Sequence, residues 1–178
     1  MNSIGRALGG AVAALALVAG VAFAGSHTED EKMAKAALAS FHSKDSTLAE
    51  VMADVAGYVV FPQIENVAVL VGGAHGKGVV YEGDKVVGTA TVTQGTIGLQ
   101  AGAKIYSQLM LFKTPEALEA FKENKWAWHG EATAVATTKG AAASTDFNEG
   151  VAIFITDQDG IMASLSVGGQ KFKFTPMM

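Results

Sequence analysis

From Tyr58 to Phe112 the chain is written in short β-rich runs separated by Gly, Asn and Asp, and this rhythm limits the fold more than any other feature. Tyr58 to Phe61 is the first run and stops at Pro62; Val67 to Val71 and Gly78 to Tyr81 follow. Glu82-Gly83-Asp84 supplies hairpin chemistry before Val86 to Thr93. In that run Val87, Thr89, Thr91 and Thr93 fall on one side and Val86, Gly88, Ala90 and Val92 on the other, so one face is wet and one is packed. Ile97, Leu99 and Ala101 then alternate with Gly98, Gln100 and Gly102 in a segment read as extended. Glycine at alternate positions cannot fill space, so another sheet layer, a helix or a ligand must approach that side. Ile105 to Phe112, apolar in its second half, reads as a central strand.

Helices flank this block. Glu29 to Ser43 carries Met33, Ala37 and Phe41 at helical spacing, a narrow stripe suited to core packing rather than to a membrane surface. Thr47 with Glu50 three residues on has the form of a capping box, placing Leu48, Val51, Met52 and Val55 on the inward face of a second helix that ends near Gly57. Thr114-Pro115-Glu116 is a third helix start, with Leu118 and Phe121 facing inward. Trp126 to Ala136 returns to strand rhythm, and its tryptophans read as packing residues. Thr138-Lys139-Gly140 turns, and Ala141 to Asn148 is loop-like. Val151 to Thr156, a turn at Asp157 to Gly160, Ile161 to Val167 and Gln170 to Phe174 read as a closing set of hairpin strands. The expected class is α+β, an antiparallel, strongly twisted or barrel-like sheet with a few packing helices.

The amino terminus has the three-part form of a secretory signal: Arg6, an apolar run from Ala7 to Val21, and Ala22-Phe23-Ala24 as a cleavage site. Residues 1–24 are therefore expected to be removed, leaving 25–178 as one domain, periplasmic or secreted. The 178-residue chain has no cysteine, which excludes a disulfide scaffold, a thiolate metal site and a cysteine nucleophile. Arg6 is the only arginine, so residues 25–178 carry 12 Lys against 17 Asp and Glu, a net of −5. That balance argues against a nucleic-acid partner.

No motif assigns a catalytic residue, a metal site or a cofactor. Gly72 to Gly78 lacks the spacing of a phosphate loop and reads as a turn with glycine-bearing strand ends, within which Lys77 is a candidate anion contact. His27, His42, His75 and His129 are scattered without metal-ligand spacing. Asp157-Gln158-Asp159-Gly160 lacks the remaining ligands of a calcium loop. Ser166 is not framed as a nucleophile elbow.

Gly57-Tyr58-Val59-Val60-Phe61-Pro62, the Gly72 to Gly78 cluster, Gly98-Leu99-Gln100-Ala101-Gly102-Ala103, the strand Leu109 to Phe112, the helix from Thr114 and the Ala-rich stretch Ala132 to Ala136 resemble the ordered elements of the SYLF domain family. The resemblance runs from about Lys32 to Phe174. It implies a lipid-binding domain without known catalytic activity; eukaryotic relatives are associated with phosphoinositide membranes and actin, and bacterial ones are commonly exported envelope proteins. The expected function is a non-enzymatic lipid- or phospholipid-binding protein of the cell envelope, with Lys77, Gly98, Gln100 and Gly102 as candidate lipid contacts. The alternative is a structural or protein-interaction module without a lipid ligand. Expected partners are a lipid or membrane surface and a second copy of the chain; an exported protein would not meet actin in its own cell.

Overall fold

A computed structural model of the chain describes residues 12–69, 71–97, 102–124, 133–157, 164–166 and 169–177. Its elements are α1 (Val12–Lys44), α2 (Leu48–Ala53), β1 (Gly57–Val69), β2 (Val71–Glu82), β3 (Lys85–Ile97), β4 (Gly102–Phe112), α3 (Pro115–Lys122), β5 (Thr133–Ala136), a 3-10 turn (Ala142–Ser144), β6 (Val151–Asp157), β7 (Ser164–Ser166) and β8 (Gln170–Pro176). The strands lie in the order β7-β5-β6-β4-β1-β2-β3-β8. From β6 to β8 every neighbouring pair is antiparallel, while β5 runs parallel to β6 and antiparallel to β7. The α+β class with a dominant antiparallel sheet is borne out.

The sheet curls without closing. Phe61 of β1 and Phe172 of β8 stand three strand positions apart, yet their rings lie 5.9 Å from each other. The concave side buries Val59, Phe61, Ile64, Val80, Ala90, Val92, Tyr106, Met110 and Phe112, with Leu118 and Phe121 of α3 packed in. Phe121 sits 5.0 Å from Phe112 and 5.7 Å from Phe172, so α3 fills the curl. Its start is the expected one: Thr114 Oγ1 accepts from Ala117 N at 3.3 Å, with Pro115 in the first turn. The convex side buries Val60, Val79, Tyr81, Leu109, Leu111 and Phe154 beneath Ala34, Ala37 and Phe41 of α1 and Leu48 of α2.

Four local expectations are corrected. The Gly72 to Gly78 cluster is not a turn but lies within β2, because β1 runs unbroken to Val69 and pairs Val69 with Val71. Pro62 does not end β1; it sits in a register shift between Val60 and Gln63. Val86 does not share a face with Gly88, Ala90 and Val92, because a second shift at Val80/Tyr81 puts it in the helix-covered cluster while Ala90 and Val92 stay in the concave one. Finally, β7 and β8 are not hairpin partners: β7 pairs β5 at one edge and β8 pairs β3 at the other.

The capping box at Thr47 is also absent. Thr47 is helical in backbone conformation and its side chain caps nothing. Instead Asp45, fully buried, gathers the turn. Its carboxylate accepts from Thr47 N at 3.0 Å, Thr47 Oγ1 at 2.7 Å, Gly140 N at 3.0 Å and Ala142 N at 2.7 Å. Helix α1 extends beyond the expected Glu29 to Ser43 at its amino end. Among residues 28–44 its buried positions are Ala34, Ala37 and Phe41.

Candidate functional site

Alternation along a strand decides which residues share a face, and register decides which of them become neighbours. On β2 the convex-side residues are His75, Lys77, Val79 and Tyr81. Helix α1 covers Val79 and Tyr81, whereas His75 and Lys77 are exposed. Helix α1 crosses the sheet obliquely: Lys44 donates to Thr156 Oγ1 on β6 at one end, and Asp30 pairs with Lys77 on β2 toward the other. Beyond that line, on the convex side, Thr93 of β3 and Lys171, Lys173 and Thr175 of β8 are exposed.

The open part is a regular grid. Lys77 stands opposite Thr91, and Thr91 opposite Lys173. His75 stands opposite Thr93, and Thr93 opposite Lys171. Thr89 faces Thr175 in the next row. Strand spacing puts the backbones of Lys77 and Lys173 about 10 Å apart, and residues two apart on β8 are about 7 Å apart. Lys171 and Lys173 are exposed and have no acidic partner among the described residues. Lys77 is matched by Asp30, and Glu65 of β1 lies opposite His75 and accepts from Gln63 Nε2 at 3.3 Å. The strip is therefore basic toward β8 and mixed toward β1. Between α1 and the Pro62 bulge an open groove of about 270 Å³ is lined by Asp30, Met33, Gln63, Glu65, His75 and Lys77, among others.

The opposite side of β3 and β8 is closed to solvent but contains a polar layer. Gln108 and Gln170 donate to each other at 3.1 Å, and Gln170 Nε2 also reaches Gln94 Oε1 at 3.4 Å. Tyr106, beside them, has a buried hydroxyl that meets no acceptor or donor at hydrogen-bond geometry. Burial pushes its phenol up to about 12, against a smaller opposing influence of the Gln170 amide. This phenol is a neutral group at any physiological pH, unsuited to act as a base.

Of the residues singled out in the sequence, Lys77 lies on the convex grid. Gly98 and Gln100 lie outside the described residues, as do Trp126 and Trp128. Gly102 opens β4 opposite Ala68, while Lys77 stands opposite Gln63 five residues earlier on β1, so about 17 Å of strand separates the two positions. Ile97 closes β3 on β2 and Gly102 opens β4 on β1, and residues 98–101 between them lie outside the described residues. Lys171 and Lys173 were not singled out. The signal was present in Lys171-Phe172-Lys173-Phe174, whose alternation assigns both lysines to one face, but not which strand would lie beside them. Among the described residues no three His, Asp or Glu side chains converge on a metal-sized site.

Fold and face together define an α+β domain whose half-curled antiparallel sheet presents a lysine–threonine strip on its open side. Residues 93–176 match the family model of Ysc84, described as Las17-binding protein actin regulator, which is the family that the sequence resembles. The match takes in the end of β3 and everything through β8, including Lys171 and Lys173. No curated protein matches the chain.

Proposed function

We propose that this protein is a non-enzymatic lipid-binding module of the cell envelope that meets anionic phospholipid headgroups with the open face of β2, β3 and β8. One observation carries the reading: in a chain of net −5 after residue 24, register gathers Lys77, Lys171 and Lys173 on one face and separates them with Thr91 and Thr93. Lysines supply a salt-sensitive attraction to phosphate, and threonine hydroxyls can donate to phosphate oxygens once contact is made. Global charge opposes such an approach, so recognition must be local. The family description names an actin regulator; the leader-like residues 1–24 separate this chain from actin and favour the lipid arm of that likeness. Export with cleavage before Gly25 is part of the proposal. Among residues 28–44 the buried positions of α1 are Ala34, Ala37 and Phe41, all beyond the cleavage point, so loss of residues 1–24 leaves that packing in place.

Vesicle flotation tests the reading. Phosphatidylcholine vesicles containing phosphatidylglycerol should carry the protein up the gradient, pure phosphatidylcholine should not, and added salt should release it. Lys171→Ala and Lys173→Ala should each weaken binding by about five-fold. Indifference to both vesicle types would leave a structural or protein-interaction role in its place. Intact mass of the envelope protein should begin at Gly25, and a chain starting at Met1 would refute cleavage.

A further inference from the structure

The third lysine of the strip is not free. Lys77 Nζ is paired with Asp30 Oδ2, and the two residues come from different layers, β2 and α1. Among residues 28–44 Asp30 lies ahead of the buried stripe Ala34, Ala37 and Phe41, and a charge contact joins it to the sheet. Met33, one turn on, is 43% exposed and lines the same open groove as Lys77. In the cluster that α1 covers, the Tyr81 hydroxyl is buried without a hydrogen-bond partner, and Glu31 of α1 lies close enough to act on it.

We infer that the Asp30–Lys77 pair is an autoinhibitory latch, in which α1 withholds Lys77 from the lysine–threonine strip and an anionic bilayer surface releases it by competing for the same ammonium group. The inference rests on the lipid-binding reading of that strip and adds its regulation. Seated, the strip offers Lys171 and Lys173; released, it offers a third cation at the β1 side, where Glu65 otherwise sets the sign, and leaves the thioether of Met33 at the groove mouth. Both states keep Ala34, Ala37 and Phe41 packed, so the motion is confined to the turns of α1 that precede Ala34.

Flotation of the whole chain on phosphatidylcholine vesicles containing phosphatidylglycerol tests the latch, with circular dichroism melting to confirm each variant is folded. Asp30→Asn keeps the side-chain shape and removes the charge, and should raise affinity about five-fold, the ratio for one added cation near an anionic surface. In a Lys77→Gln background the same Asp30→Asn change should have no effect. Lys77→Gln alone should leave binding near that of the parent, because in the parent the cost of parting Lys77 from Asp30 offsets what the released lysine gains at the bilayer. If Asp30→Asn binds like the parent while Lys171→Ala and Lys173→Ala weaken binding, the latch is wrong and the strip stands. If neither parent nor Asp30→Asn binds, the strip itself is wrong and the latch falls with it. If Asp30→Asn gains affinity equally with and without Lys77, the gain is general charge and the latch is refuted.

Discussion

Gln108 on β4 and Gln170 on β8 exchange a pair of 3.1 Å hydrogen bonds across the concave side of the sheet, although three strands separate them in the pairing order. Both are essentially inaccessible, at 0% and 1% exposure, so each amide satisfies the other where water cannot. This pair ties β8 to β4 across the curl. Gln108→Leu or Gln170→Leu alone should cost about 2–3 kcal/mol, since the first leaves Gln170 only its 3.4 Å contact with Gln94 and the second leaves the Gln108 amide buried without its partner. The double variant should lose less than the sum of the two, and urea unfolding of the four-member cycle measures the coupling.

The glycines of β2 make a second, sharper test. A Cβ at Gly78 would lie 2.7 Å from Phe61 Cδ1 and 2.8 Å from Val60 O, and one at Gly76 would lie 2.7 Å from Ile64 Cγ1. The first clash includes backbone, which cannot step aside cheaply. Gly78→Ala should therefore destabilise by about 1–3 kcal/mol. Gly95→Ala meets nothing within 4 Å and should be tolerated with little change in melting temperature.

Asp45 ties the α1–α2 turn to the segment from Gly140 to Ala142. Burial pushes its carboxyl up, but hydrogen bonds from Ala142, Thr47 and Gly140 outweigh this and hold it below the usual carboxylate range. A folded-state value lowered in this way contributes stability that is fully present above the unfolded value near 4 and disappears as pH falls through the lower folded value. Asp45→Asn should cost about 2–4 kcal/mol at neutral pH, because its NH₂ group faces donors. The gap between parent and variant should shrink in melts below about pH 4, and a gap independent of pH would contradict the assignment.

What could be read from the sequence was what is locally determined. Thr114-Pro115 starts α3 as expected because a cap needs only its own turn, and the Thr89-Thr91-Thr93 face emerges because alternation is intrinsic to a strand. The errors share a cause. Gly72 to Gly78 has turn composition, but the reason for glycine at 76 and 78 lies in Ile64 and Phe61 across the sheet. The strands β7 and β8 are near in sequence and look like a hairpin, yet their partners are β5 and β3. Asp45 took the role assigned to Thr47 because its donors at Gly140 and Ala142 are nearly a hundred residues away. The strip was half visible for the same reason: Lys77 was marked, but its neighbours Lys171 and Lys173 are joined to it only through Thr91 and Thr93.

The central claim is that the convex face of β2, β3 and β8 is the side that meets lipid. Paramagnetic broadening of backbone amide signals by spin-labelled lipid in phosphatidylglycerol-containing bilayer discs addresses it residue by residue. Broadening should be greatest at Thr91, Thr93, Lys171 and Lys173 and weak along α3. Broadening centred on α3 or on the Gly140 to Ala142 segment, with β3 and β8 unaffected, would contradict it.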